Sequence, residues 1–145
     1  NIKQIGNWYS KIGYIFQDPI IFDENLKFNI TFNKNIKFNK ERFNNSLRAA
    51  GINKDKIKKF KQNKINNIDQ KLSGGEKQRI NIAREVYFQP EVYLFDESTS
   101  GLDSKNERII FKTISSLKKT KLIIFVTHNK KIKSKFKKII DINKV

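Results

Sequence analysis

The 145-residue chain has no cysteine and no methionine, only two prolines and six glycines, and fewer than half as many acidic as basic residues. Without cysteine there is no disulfide framework and no thiolate chemistry, a composition compatible with a reducing compartment. No apolar run approaches the roughly 18–20 residues that a membrane-crossing helix needs. The length bounds the chain to one domain, enough for a real core. Glycine is so sparse that the one adjacent pair, Gly74-Gly75, stands out.

The shortage of acids leaves a formal charge of +17 at pH 7, which invites a nucleic-acid reading. Lys, Asn and Ile are abundant throughout, however, and the lysines are scattered rather than grouped beside stacking aromatics. A solvated, generally basic surface is the favoured reading, with a secondary role toward an anionic ligand or an anionic cytoplasmic leaflet left open. No specific nucleic-acid partner is expected.

What the sequence does have is concentrated between Lys71 and Asp103: KLSGGEKQRINIAREVYFQPEVYLFDESTSGLD. Ser73 supplies a capping hydroxyl, and two residues without a Cβ follow it where a helix should begin. From Glu76 onward, Ile80, Ala83, Val86 and Tyr87 share one face at helical spacing, and Pro90 forbids continuation. A helix start behind two glycines is a natural seat for phosphate, because unpaired N–H groups and the helix dipole both point there. Val92-Tyr93-Leu94-Phe95 then has the length and β-propensity of a buried strand, and it ends in Asp96-Glu97. Paired carboxylates at the end of such a strand are costly unless they hold a cation or do proton chemistry.

The ordered series LSGGE-KQR, four apolar residues and DE, then STSGLD, with a histidine after a later strand, resembles the signature motif, Walker B and D-loop of an ABC-type ATP-binding domain. Strand-like Ile12, Tyr14 and Phe16 lead to Gln17-Asp18-Pro19, which corresponds to the family's Q-loop. Pro19–Phe38 is aromatic with little periodicity. Phe22, Asn29 and Ile30 resemble the "LF…NI" order of exporter-type domains, including flippases, so this stretch reads as a core loop of Phe plugs or as a surface for a coupling helix.

Asn39 can cap a helix over Lys40–Ala50 that Gly51 closes, and a second short helix is expected around Lys54–Gln62. Lys64–Gln70 is a polar approach to the glycine turn, without the Glu and Gly that exporters tend to carry there. Beyond Asp103, Ser104 and Glu107 have capping-box spacing. The helix after them should bury Ile110, Ile114 and Leu117, with Ile109 and Thr113 alongside. Leu122–Val126 reads as a second fully apolar strand ending in Thr127-His128, and Lys137–Asn143 is the best candidate for a last strand. The expected class is α/β with a mainly parallel, P-loop NTPase-like sheet and an inserted helical subdomain. Residues 1–18 would be core strand and Q-loop, 19–90 the helical subdomain and 91–145 the remaining core strands.

In a parallel sheet both strand ends lie at one edge. Asp96 would there hold Mg²⁺ through water, and Glu97 would orient and deprotonate the water attacking the γ-phosphate. By resemblance, His128 would contact the γ-phosphate or that water, and Gln17 the Mg²⁺ or the water. Ser98 reads as structural. Ser73, Gly74, Gly75 and Glu76 would meet the γ-phosphate of a nucleotide held mainly by a second ATP-binding domain, paired head to tail. Asp103 would lie at that interface. Ser73 as a plain helix cap and Asp103 as the start of the next helix are compatible with those roles.

No glycine sits in G-x-x-x-x-G-K-[ST], the loop that holds the β- and γ-phosphates. By resemblance that loop lies before Asn1, and the chain reads as the carboxyl-terminal piece of a longer domain, with negligible ATPase alone. The implied function is ATP hydrolysis that powers export or flipping across a membrane. The implied partner is a transmembrane domain, fused or separate, and the implied place is the cytoplasmic face of the cell membrane. A non-transport ABC ATPase acting on DNA or ribosomes, and a basic nucleic-acid-binding module, are the alternatives.

Overall fold

The computed structural model describes residues 8, 10–32, 38–52 and 72–141. Three short strands, β1 (Ile12–Ile15), β2 (Val92–Asp96) and β3 (Leu122–Val126), form one parallel sheet in the order β1-β2-β3. Ile15 pairs with Phe95, and Phe95 with Phe125, so the three strands run out together at one edge. Between β1 and β2 the chain makes a helical excursion: α1 (Leu26–Thr31), α2 (Lys40–Ala49) and α3 (Gly74–Phe88). The crossover from β2 to β3 is α4 (Ser104–Leu117), and α5 (Lys130–Lys133) follows β3. The α/β class with a parallel sheet and helices thus stands as expected.

The starts of α1 to α4 each have a chemical cause. Asn25 and Asn39 accept from the backbone N–H three residues on and so cap α1 and α2. Gly51, at φ +66°, closes the end of α2 in a left-handed turn. Ser73 caps α3 in a reciprocal capping box with Glu76. For α4 the cap is Asp103, whose carboxylate accepts from the Asn106 N–H, and not Ser104 as the Ser104–Glu107 spacing suggests. A carboxylate one residue earlier is the better acceptor, and it also complements the helix dipole.

The core lies on one side of the sheet. Ile15, Tyr93 and Phe95 are essentially inaccessible and pack with Ile80, Ile82 and Ala83 of α3 and Ile110, Phe111 and Ile114 of α4. Phe125 stacks on both Phe95 and Phe111, bringing α4 against β2 and β3. The alternate residues of β3, Leu122, Ile124 and Val126, are 59%, 46% and 41% exposed, so the apolar run is buried on only one face.

Three further points differ from what the sequence suggests. Helix α3 is buried almost all round, including Gln78, Arg79, Asn81 and Arg84, where one apolar face was expected. Helix α1 lies inside the stretch that showed no period, because six residues are too few to display one. Residues 137–141 form no strand: Ile139 and Ile140 are 54% and 71% exposed, so no described element gives this segment a face to bury, and 142–143 lie outside the described residues. The helix expected around Lys54–Gln62 and the approach Lys64–Gln70 also lie outside them.

Candidate nucleotide-facing site

At the carboxyl edge of the sheet the two strand ends meet. The Glu97 N–H donates to the Val126 carbonyl at 3.1 Å, continuing the β2–β3 pairing one residue beyond Asp96. The Glu97 carboxylate accepts from the His128 backbone N–H at 2.8 Å, and the His128 Nε2 stands 3.7 Å from the same oxygen. The imidazole itself is fully exposed, while Glu97 is 21% exposed. Glu97 holds φ +45°, in the left-handed region that side chains seldom occupy. Such strain gathers where the surroundings over-determine a conformation, and here the strand end does so.

Asp96 is held from the neighbouring strand. Tyr14, on the same face of β1, donates its hydroxyl to Asp96 Oδ2 at 2.5 Å. That hydrogen bond, with burial and the carboxylate charge behind it, raises the Tyr14 pKa above the usual phenol value, so it stays a donor. That bond takes up Oδ2 alone of the two Asp96 carboxylate oxygens. Among the described residues no group of three or more His, Cys, Asp or Glu is gathered for a metal. Mg²⁺ would need no such group, since it takes one or two carboxylates, keeps several waters and draws the rest of its shell from phosphates. Tyr14 was not among the expected site residues. The alternation Ile12-Tyr14-Phe16 on a strand parallel to Val92–Asp96 was the signal that could have placed it.

At the Ser73 corner, Ser73 and Gly74 are exposed, Glu76 is half-buried and Gly75 is buried. Ser73 is exposed, but its hydroxyl is engaged within the cap: it accepts from Glu76 N at 3.3 Å and donates to Glu76 Oε2 at 3.1 Å. The Ser73 N–H also donates to Glu76 Oε2, at 3.0 Å. Gly74, at the helix start, is exposed while Gly75 behind it is buried, so Gly74 is the open part of the turn that an anion could approach. A Cβ at Gly74 would meet nothing within 4 Å, which leaves room for a ligand at the backbone.

Gly74 lines a depression of about 330 Å³ together with Gln17, Asp18, Lys77, Ser98 and Gly101. Asp96, Glu97 and His128 do not line it. The candidate residues therefore fall into two groups: Asp96, Glu97 and His128 at the sheet edge, and Gln17 with Gly74 at the depression, Ser73, Gly75 and Glu76 flanking Gly74 in the same turn. Gln17 and Glu97 both stand two residues beyond the paired Ile15 and Phe95, at the same edge. Ser98 is buried, in keeping with a structural place, although its hydroxyl has no described partner.

Asp103 borders the second group through α4. Its carboxylate accepts from Asn106 N at 2.8 Å and from Asn106 Nδ2 at 2.7 Å. The Asn106 backbone N–H, chiefly, holds its pKa below the ordinary aspartate value. Arg79 of α3 donates to the Asn106 side-chain oxygen, so the start of α4 is tied to the first turns of α3.

The chain is similar to known proteins in sequence and in fold. Residues 1–100 match the family model described as "ABC transporter". ABC transporter B family member 24, mitochondrial, of Arabidopsis thaliana is 38% identical over 122 residues, which are 82% of this chain and 18% of that protein. The phosphate import ATP-binding protein PstB of Synechococcus sp. (strain CC9605) is 39% identical over 123 residues, 82% of this chain and 43% of that protein. Among solved structures, a bacterial Atm1-family ABC exporter with ATP bound matches 83% of this chain and 21% of its own at 27% identity, with a TM-score of 0.70. The chain thus spans less than half the length of each of these relatives.

Proposed function

We propose, from the premise that this chain belongs to the ABC transporter family, that it is part of an ATP-hydrolysing nucleotide-binding domain that powers export or flipping across a membrane. The observation that carries the reading is the meeting of Asp96, Glu97 and His128 at one sheet edge, with Glu97 fixed in a strained backbone by the end of β3. The likeness to a B-family member and to an Atm1-family exporter favours export as the direction. The PstB match is evidence for the shared ATP-binding unit and not for direction.

MgATP, when bound, supplies the phosphoryl group and the charge that the site must stabilise. Asp96, oriented by Tyr14, would be the carboxylate that holds the Mg²⁺. Glu97 takes the proton of a water at the edge, and the His128 imidazole, 3.7 Å from its carboxylate, sits where it can hold that water or a phosphate oxygen. The N–H groups of Gly74 and Gly75 meet a phosphate held mainly by a second domain, with Ser73 and Glu76 keeping that turn in shape and Asp103 at the shared interface. Gln17 reports the state of the site to a transmembrane domain, fused or separate. This assigns residues 1–18 and 91–145 to the catalytic core and 19–90 to the helical subdomain, on the cytoplasmic face of the membrane.

The test is Glu97→Gln in the full-length protein. Nucleotide binding is retained, and turnover falls by at least about 100-fold, the usual contribution of a positioned base. Hydrolysis at the native rate in that variant removes the catalytic assignment.

A further inference from the structure

The catalytic reading gives no role to two buried polar side chains of α3, Gln78 and Arg84, which are 2% and 3% exposed. Both reach to backbone carbonyls of the segment that carries Gln17, one on each side of it. Gln78 Nε2 donates to the Phe16 carbonyl at 3.0 Å. Arg84 Nη2 donates to the Ile20 carbonyl at 2.8 Å, and its Nε donates to the Asn29 carbonyl at 2.8 Å. Beyond Ile15 the chain has left the sheet, and Pro19 has no N–H to give. The helix therefore takes over where the sheet stops holding.

Six residues apart on a helix, the two side chains leave the axis about 120° from one another, so they brace the segment in two directions. The same helix presents Gly74 one turn before Gln78, and Gly74 and Gln17 line one depression. A buried guanidinium needs acceptors wherever it sits, and burial already lowers the Arg84 pKa. Its acceptors here are two main-chain carbonyls rather than a carboxylate, so what the bonds fix is backbone position. The Arg84 guanidinium also lies 4.4 Å from the centre of the Phe32 ring. Asn29, whose carbonyl it holds, in turn bonds the Phe22 N–H and carbonyl.

We propose that Gln78 and Arg84 are positioning residues for Gln17: they clamp the Phe16–Ile20 segment to the helix whose first turn offers Gly74 and Gly75, so that both nucleotide-facing elements move as one body. The proposal rests on the role given to Gln17 above.

The test uses the full-length protein and two readouts. In a double-mutant cycle, Gln78→Met lowers kcat about ten-fold in the native background and by less than about two-fold when Gln17 is already Ala. Equal losses in the two backgrounds overturn the proposal, since a merely structural residue acts whatever stands at 17. Hydrogen exchange of the 16–22 peptide needs no turnover. There Gln78→Met and Arg84→Met each speed exchange about ten-fold, while Arg84→Lys, keeping charge and one donor, restores most of the protection. Unchanged exchange in folded Gln78→Met overturns the clamp, and this variant decides if Arg84→Met does not fold. Should Glu97→Gln hydrolyse ATP normally, the catalytic reading fails by itself, and the exchange measurement still decides the clamp.

Discussion

Two glutamates show how placement sets what one side chain can do. Glu97 stands at a strand end, with its backbone N–H and one carboxylate oxygen both held by the end of β3. Glu85 lies on α3 against β1, where burial raises its pKa to about 7, and the Arg84 charge and a backbone hydrogen bond from Tyr14 offset only part of the rise. The direction for stability follows. An acid whose folded pKa lies above its unfolded value keeps its proton longer in the folded state. Stability is then full below about pH 4.5, falls as pH rises toward 7, and is lost by this term above it. Allowing for partial exposure, the term is worth roughly 2 kcal/mol. Glu85→Gln should therefore match the native protein near pH 4.5 and exceed its stability by about that amount near pH 8. Denaturant melts at the two pH values check it, and a difference that does not grow with pH rules the explanation out. Tyr93 feels the same carboxylate, although burial is the main reason its pKa stands near 12.

At the scale of elements, the two glycines of α3 separate what the fold needs from what a ligand needs. A Cβ at Gly75 would come within 2.4 Å of Asn106 Nδ2. Asn106 has little freedom to yield, because Asp103 and Arg79 both hold its side chain. Gly75→Ala should cost about 1–3 kcal/mol, read as a lower unfolding midpoint. Gly74 has open space around it, and alanine is the better helix former, so Gly74→Ala should be neutral or gain up to about 1 kcal/mol. A loss of turnover without loss of stability at Gly74 then reports on the approach of a phosphate; unchanged turnover there speaks against it. The caps at Asn39 and Ser73 were legible from residue type alone, as were the strand ends at Asp96 and His128. Burial of Gln78 and Arg84 was not, because a polar residue on a helix reads as solvated until its acceptor is known, and the carbonyls of Phe16 and Ile20 are remote in sequence. Nor was the cap at Asp103 separable from Ser104 without the turn that precedes it.

At the scale of the whole molecule, the sheet is the unusual part. Parallel sheets normally carry cover on both faces, which is why β3 reads as a continuous apolar run. Here one face holds the core, and the other leaves Ile12, Phe16, Leu122, Ile124 and Val126 between 39% and 59% exposed. The sequence pattern correctly identified a strand built for burial, yet it had no means of saying which face the described residues cover. The two faces should answer differently to substitution. Phe95→Ala, in the core, costs about 3–5 kcal/mol, whereas Ile124→Lys changes stability by less than about 1 kcal/mol. Self-association adds a second contrast. A net charge of +17 keeps copies of the chain apart while its field is long-ranged, and salt shortens that range to roughly 10 Å at 0.1 M. Apolar contact through the open face is then less opposed, so light scattering from the 145-residue chain should rise with added salt. Ile124→Lys should suppress the rise by placing charge at the centre of that face. Association that weakens with salt, or that Ile124→Lys leaves untouched, would mean that scattered surface charge and not the uncovered strands brings the molecules together.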